Sequence, residues 1–269
     1  KKDEHLKDVA AWIAGHPDVS SSLIHDIVKY RDQICITKDM NVTAVQEQMS
    51  INQARMEVAN IEHQYQGFHL SECICNLPKT EVTLGRYKAY IMEGNDPRQV
   101  MLGYDTDCCQ HYDGAGESAM MYGLINPDAG FFVIEDTKTG RILAQAETWQ
   151  DTDGRRLVFD NIEFADDRQV SQFAPVLSRW CTASPYPDIL MGNGYNKLTD
   201  DRIRTTEGIE PPMKDAYYTI LEQEEDYNYD EPDPYTDADN SCSLLKKDGC
   251  VEPYFMEEEQ KYLQSLPKL

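Results

Sequence analysis

Lysine and arginine are scarce: 25 stand against 48 aspartates and glutamates in 269 residues, a net charge of −23. Such a chain repels phosphate backbones and anionic lipid at long range, which argues against a general nucleic-acid or membrane-surface binder and favours a basic protein partner. Long apolar runs are missing as well. No stretch approaches the roughly 18 residues of a membrane-spanning helix, and the charged start Lys1–His5 has no signal-like apolar stretch behind it. A disulfide framework is also lacking. The eight cysteines include Cys73-Ile-Cys75 and Cys108-Cys109, which are poor spacings for ordinary bridges, and 41% hydrophobic content lets the chain build a core without staples. Reduced thiols and a cytoplasmic location are expected, with delivery into a host cell as the other course.

What is present divides into three parts. Residues 1–78 form an N-terminal helical region: Leu6 to Ile13 and Val19 to Ile36 carry apolar residues at helical spacing, and Val42 to Tyr65 reads as a long polar helix. Residues 79–200 form a central α+β core. Val82 to Ile91 and Gln99 to Leu102 read as short strands, and Glu117 to Leu124 as a helix. Gly130 to Glu135 and Arg141 to Trp149 flank Asp136-Thr-Lys-Thr-Gly140, the pattern of a β-hairpin. Leu157 to Phe164 supplies a third strand, Val170 to Cys181 an amphipathic helix and Ile189 to Met191 a short strand. Residues 201–269 form an acidic extension: a tyrosine-rich run dense in carboxylates, then a charged helix from Glu257 to Leu266. The expected fold class is α+β, an N-terminal helical region followed by a mainly antiparallel sheet with packed helices.

Chemistry concentrates in residues 103–116, Gly-Tyr-Asp-Thr-Asp-Cys-Cys-Gln-His-Tyr-Asp-Gly-Ala-Gly. Cysteine and histidine titrate nearest neutrality, and glycines allow close backbone approach. A nucleophilic reading takes Cys108 or Cys109 as a thiolate with His111 as base, which gives a cysteine-dependent hydrolase or transferase. A weaker metal reading gathers Cys73, Cys75, Cys108, Cys109 and His111, although neither cysteine pair has the usual zinc spacing. The alternating oxygens from Asp226 to Asp239 suit a hard cation but lack the glycine and the final glutamate of a calcium loop, so a solvated acidic loop is preferred. Alternation at Gln145, Glu147 and Gln150 reads as a solvent-facing strand edge. Phe131, Trp149, Phe159 and Trp180 read as core.

The order hairpin, third strand, helix, short strand over residues 130–196 resembles the central part of GNAT-type N-acyltransferases. The resemblance implies that the third strand presents backbone to the pantetheine arm of an acyl-CoA and that the helix after it points its N-terminus at the diphosphate. Acetyl-CoA is the implied donor, with Phe159 and Asn161 of the third strand as donor contacts, Glu147 or Glu163 as base, and a protein or small amine as acceptor; Gly114 and Gly116, which open a predicted helix away from the family's glycine position, are further candidates for the donor site. Where that family places a glycine-bearing phosphate loop, this chain has Ala165-Asp166-Asp167-Arg168-Gln169. The runs Leu102–His111, Phe131–Asp136 and Phe159–Glu163 also resemble uncharacterised proteins of bacteriophages and mobile elements. A third course is a non-enzymatic acidic interaction protein, such as a phage or effector inhibitor that binds a basic partner.

Overall fold

The computed structural model describes residues 2–32, 34–150, 154–166, 168, 170–192, 242–245 and 251–253. The tyrosine-rich acidic run, the segment considered for calcium and the expected helix at 257–266 lie outside them. No helix among the described residues is long and apolar enough to cross a membrane.

Three helices open the chain: α1 (Lys2–Ala14), α2 (Ser21–Lys29) and α3 (Val42–Gln64). Their starts follow from capping. Ser20 accepts the Leu23 amide at 3.2 Å and Asn41 the Ala44 amide at 2.9 Å, each satisfying a donor that the helix cannot. The helix expected over Val19 to Ile36 ends at Lys29, and Ile34 and Ile36 instead reach the core from irregular chain. Val9, Trp12, Ile27, Val45 and Met49 close a small core of their own. The second half of α3 leaves it: Val58, Ile61 and Tyr65 join the main core against the sheet.

One sheet organises the rest. Its strands are β1 (Glu81–Leu84), β2 (Tyr87–Ile91), β3 (Ala129–Asp136), β4 (Arg141–Gln150), β5 (Arg156–Phe159), β6 (Glu163–Phe164), β7 (Asp188–Gly192), β8 (Cys242–Leu245) and β9 (Val251–Pro253), in the order β1-β2-β3-β4-β5-β7-β8-β9 with β6 added to β4. Every pairing is antiparallel except β5 with β7, which are joined through α6 (Val170–Ala183). A parallel pair needs such a crossover. The α+β class and the mainly antiparallel sheet are as the sequence implied.

Four local readings change. Val82 to Ile91 is two strands, because Gly85 at φ +63° closes a tight hairpin between them. Pro97–Met101 is a 3-10 helix capped by Asp96, and it runs into α4 (Leu102–Thr106), so Gln99 to Leu102 is no strand. The third strand breaks at 160–162: β5 pairs with Thr148–Gln150, and β6 returns to Ala144 and Gln145. Finally, β8 and β9 extend the sheet from a region that reads as irregular in sequence.

Helices cover both faces. On one, α6 packs against β1 and β2, and Phe132, Phe159, Trp180, Phe173 and Ile134 form the core beneath it. On the other lie α3, α4 and α5 (Glu117–Ile125), over Phe131, Val133 and Trp149. Strand alternation assigns the faces: Gln145, Glu147 and Trp149 pair with Val133, Phe131 and Ala129, so all three turn toward α4 and α5.

Candidate functional site

The 103–116 segment is a tight knot rather than an open loop. The Cys108 amide donates to the Gly103 carbonyl at 2.9 Å, and the Cys109 carbonyl accepts the amides of both His111 and Gly116 at 3.0 Å. Asp107 and Asp113 take left-handed backbone, φ 55° and 58°, which short polar side chains tolerate. A Cβ on Gly114 would collide with the Cys109 carbonyl, and one on Gly116 would lie 2.8 Å from the Cys109 sulfur. The glycine pair is thereby accounted for by the packing of the segment on itself. Glu117 ties the knot to α3, receiving the Tyr65 hydroxyl on one oxygen and the Asp113 amide on the other at 2.5 Å.

The knot roofs a polar patch on the sheet. Gln110, itself buried, extends its amide downward and donates to Asp160 Oδ2 at 2.7 Å and, at longer range, to Glu147 Oε2 at 3.4 Å. The Asp160 backbone amide donates to the Glu147 carbonyl at 2.8 Å, so strand pairing fixes the two acids side by side. Glu147 is fully buried, and burial, then the neighbouring Asp160, pushes its carboxyl well above the ordinary range. Its Oε1 has no hydrogen-bond partner among the described residues, nor has either end of the Gln145 amide or the Trp149 indole N–H. Four polar atoms without partners on one strand face are costly, at roughly 1–3 kcal/mol for each buried group left unsatisfied. Native proteins keep such groups where waters, ligands or chemistry use them. Tyr122 lies over the same patch, its hydroxyl pKa raised by burial and by Glu147.

The sequence-derived candidates therefore divide. Glu147 is in the patch. Glu163 is half-buried, pairs with Gln145 across β4 and β6, and receives the Asn161 amide at 3.3 Å. Cys108 is close enough to Glu163 to feel its charge, which places the knot against this same patch. Phe159 points the other way, fully buried against Phe132 at 4.9 Å between ring centres and beside Trp180. The other three aromatics expected in the core are buried too.

His111 Nδ1 contacts the Tyr112 carbonyl at 2.8 Å, and its ring packs at a tilt on Tyr104 at 3.9 Å between ring centres. The Cys108 thiol is pushed up by its hydrogen bond to Cys109 and by burial, the opposite of thiolate activation. Cys73 is pushed up to about 11 by burial. Among the described residues no three histidine, cysteine or acidic side chains gather as a metal site.

Sequence reasoning missed Gln110, Gln145 and Asp160. Gln145 and Glu147 alternate with Ala144 and Ala146, which marks two faces but cannot say that the polar one is covered. The strand edge expected to face solvent is buried at both residues because α4 and the knot lie over it. No family model matches the chain, and neither a curated protein nor a solved structure matches it.

Proposed function

We propose that this protein is an acyltransferase of GNAT-like architecture, in which the Glu147–Asp160 pair manages the proton of an amine acceptor. The observation that carries the reading is Glu147 itself: a fully buried carboxyl, held toward its neutral form, with one oxygen unpartnered and a second acid beside it. Supporting it, the hairpin β3–β4 turns at Gly140, the next strand β5 leads into α6, and β7 follows parallel, the order on which the resemblance rests.

The chemistry follows from charge. An amine reaches a protein mainly as ammonium and must lose a proton before it can attack an acyl group. Two adjacent buried carboxyls resist double ionisation, but an entering ammonium offsets that repulsion, and the Glu147 proton passes to water as the ammonium binds, leaving the carboxylate. The carboxylate then accepts the amine proton, and the freed amine forms a C–N bond to the acyl carbon as the C–S bond breaks. The departing thiolate takes the proton back from Glu147, which the strand pairing keeps aimed, and the amide nitrogen loses its extra proton to water. Because Glu147 and Gln110 are covered, the knot must lift for the acceptor to enter. The net charge of −23 favours a basic, lysine-bearing protein as that acceptor.

The residues do not fit a nucleotide diphosphate at the entry to α6. There the Asp166 carboxylate accepts the Arg168 amide at 3.0 Å and its guanidinium at 2.9 Å, so a carboxylate stands where the family offers glycine and bare amides. The donor expected is an acyl thioester without the CoA diphosphate. The test offers the full chain an acetyl thioester of N-acetylcysteamine or acetyl-CoA, each with a lysine-rich peptide, and reads peptide acetylation by mass. Amine-dependent transfer from the small thioester, equal to or faster than from acetyl-CoA, supports the reading. No transfer from either donor overturns it.

A further inference from the structure

Cys108 and Cys109 take no part in the proposed proton transfer, yet the knot holds them in a defined relation. Cys109 is exposed and Cys108 half-buried, and a hydrogen bond joins their side chains. The backbone on both sides is tied: Cys108 through its amide to Gly103, Cys109 through its carbonyl to His111 and Gly116. Gly116 also closes against the Cys109 sulfur, where even a Cβ would stand at 2.8 Å. The two thiols are thus kept together, with Cys109 on the exposed side.

We propose that Cys108–Cys109 is a dithiol modification site that a hydroperoxide converts reversibly to a vicinal disulfide. Cys109 gives its proton to water, and its thiolate attacks the outer peroxide oxygen. The O–O bond breaks, the alkoxide or hydroxide leaves and is protonated by water, and Cys109 becomes a sulfenic acid. The Cys108 sulfur then attacks the Cys109 sulfur, the S–O bond breaks, and the departing hydroxide takes the Cys108 proton as water. Two electrons pass from the thiol pair to the peroxide, and one S–S bond replaces two S–H bonds. Adjacent Cα atoms are only about 3.8 Å apart across a trans peptide, closer than in ordinary bridges, so this disulfide is strained. Strained, exposed disulfides are the readily reduced ones, which makes the modification reversible. Closing the ring also re-aims the peptide leading into Gln110, whose amide bridges Asp160 and Glu147.

The competing thiols are less suited. Among the described cysteines, Cys73 and Cys75 are both pushed up by burial and Cys181 is buried, and exposed Cys35 serves as the internal control. The experiment treats the full chain with one equivalent of hydrogen peroxide and maps peptides by mass without reduction. The expected product has lost the mass of two hydrogens within the 108–109 peptide, resists iodoacetamide there and recovers with dithiothreitol. C108S is expected to give a Cys109 adduct with dimedone, whereas C109S gives none at Cys108. First oxidation at Cys35, a bridge between two chains, or dimedone labelling of Cys108 in C109S as fast as that of Cys109 in C108S would overturn the proposal. The wild-type map decides the matter even if a serine variant does not fold.

Discussion

Replacing Asp105 by asparagine should make the protein more stable at neutral pH and change nothing in strong acid. Asp105 sits on α4 beside a cavity of about 280 Å³ bounded by Ser20, Gln46, Ser50 and Arg141, where the N-terminal helices meet the β3–β4 turn. No hydrogen bond among the described residues reaches its carboxylate, so asparagine forfeits none there. Burial pushes this carboxyl from 3.8 up to about 6, against the pull of Arg141 and Arg98. A raised acid binds its proton more tightly folded than unfolded, so stability is full below pH 3.8 and is lost as pH rises toward 6. The shift amounts to about 3 kcal/mol at 1.36 kcal/mol per unit, and residual hydration at the cavity mouth trims it to roughly 2–3 kcal/mol. At about 2–4 °C per kcal/mol for a chain of this size, D105N should melt roughly 4–12 °C higher than wild type at pH 7.5. At pH 3.5 the two should coincide. Thermal melts followed by circular dichroism measure both. A variant no more stable than wild type at pH 7.5 would contradict the burial of α4 under the helical region and the electrostatics drawn from it.

Further expectations follow from the same geometry. G116A forces a Cβ against the Cys109 sulfur and should cost about 1–3 kcal/mol in denaturant melts, with loosening of the knot visible as faster amide exchange at 108–116; wild-type stability would show that the knot is not packed as described. F159A empties the aromatic core beneath α6 and should cost about 3–5 kcal/mol, so a loss under 1 kcal/mol would place that ring elsewhere. E147Q should stabilise the protein near neutral pH, because it removes a buried ionisable group whose pKa is raised, and its advantage should vanish below pH 4. A neutral-pH melt lower than that of wild type would mean that Glu147 is ionised and paired.

Much of the architecture was legible because its signals are local. The Asp136–Gly140 turn between two apolar runs announced β3 and β4, and the 3.6-residue pattern announced α2 and α6. The failures share a cause. Gln99-Val-Met-Leu102 is too short for periodicity to separate strand from helix, although Asp96 and Pro97 ahead of it are a helix-start signature. The third strand breaks at 160–162 because its register to β4 shifts there by one residue: Asp160 still continues the β5 ladder at Glu147, whereas β6 sets Phe164 opposite Ala144, a slip that no local pattern announces. Of the candidate site, the sequence offered Glu147 and the 103–116 run but neither Gln110 nor Asp160. The density of cysteine, histidine and glycine pointed to 103–116, yet Gly114 and Gly116 are accounted for by close packing and His111 packs on Tyr104. The residue that reaches the acids is Gln110, the least conspicuous in the run, because reaching them depends on tertiary placement over β4.

The most direct test compares the rate of amine acylation in wild type, E147Q and H111A, each first shown to be folded by its melt. General acid–base catalysis contributes about 10²–10⁴-fold, so E147Q should lose at least a hundredfold in kcat with its fold intact, while H111A retains rates within a few-fold of wild type. Retention of activity by E147Q, or its loss in H111A alone, would contradict the account and return the chemistry to the imidazole of the knot.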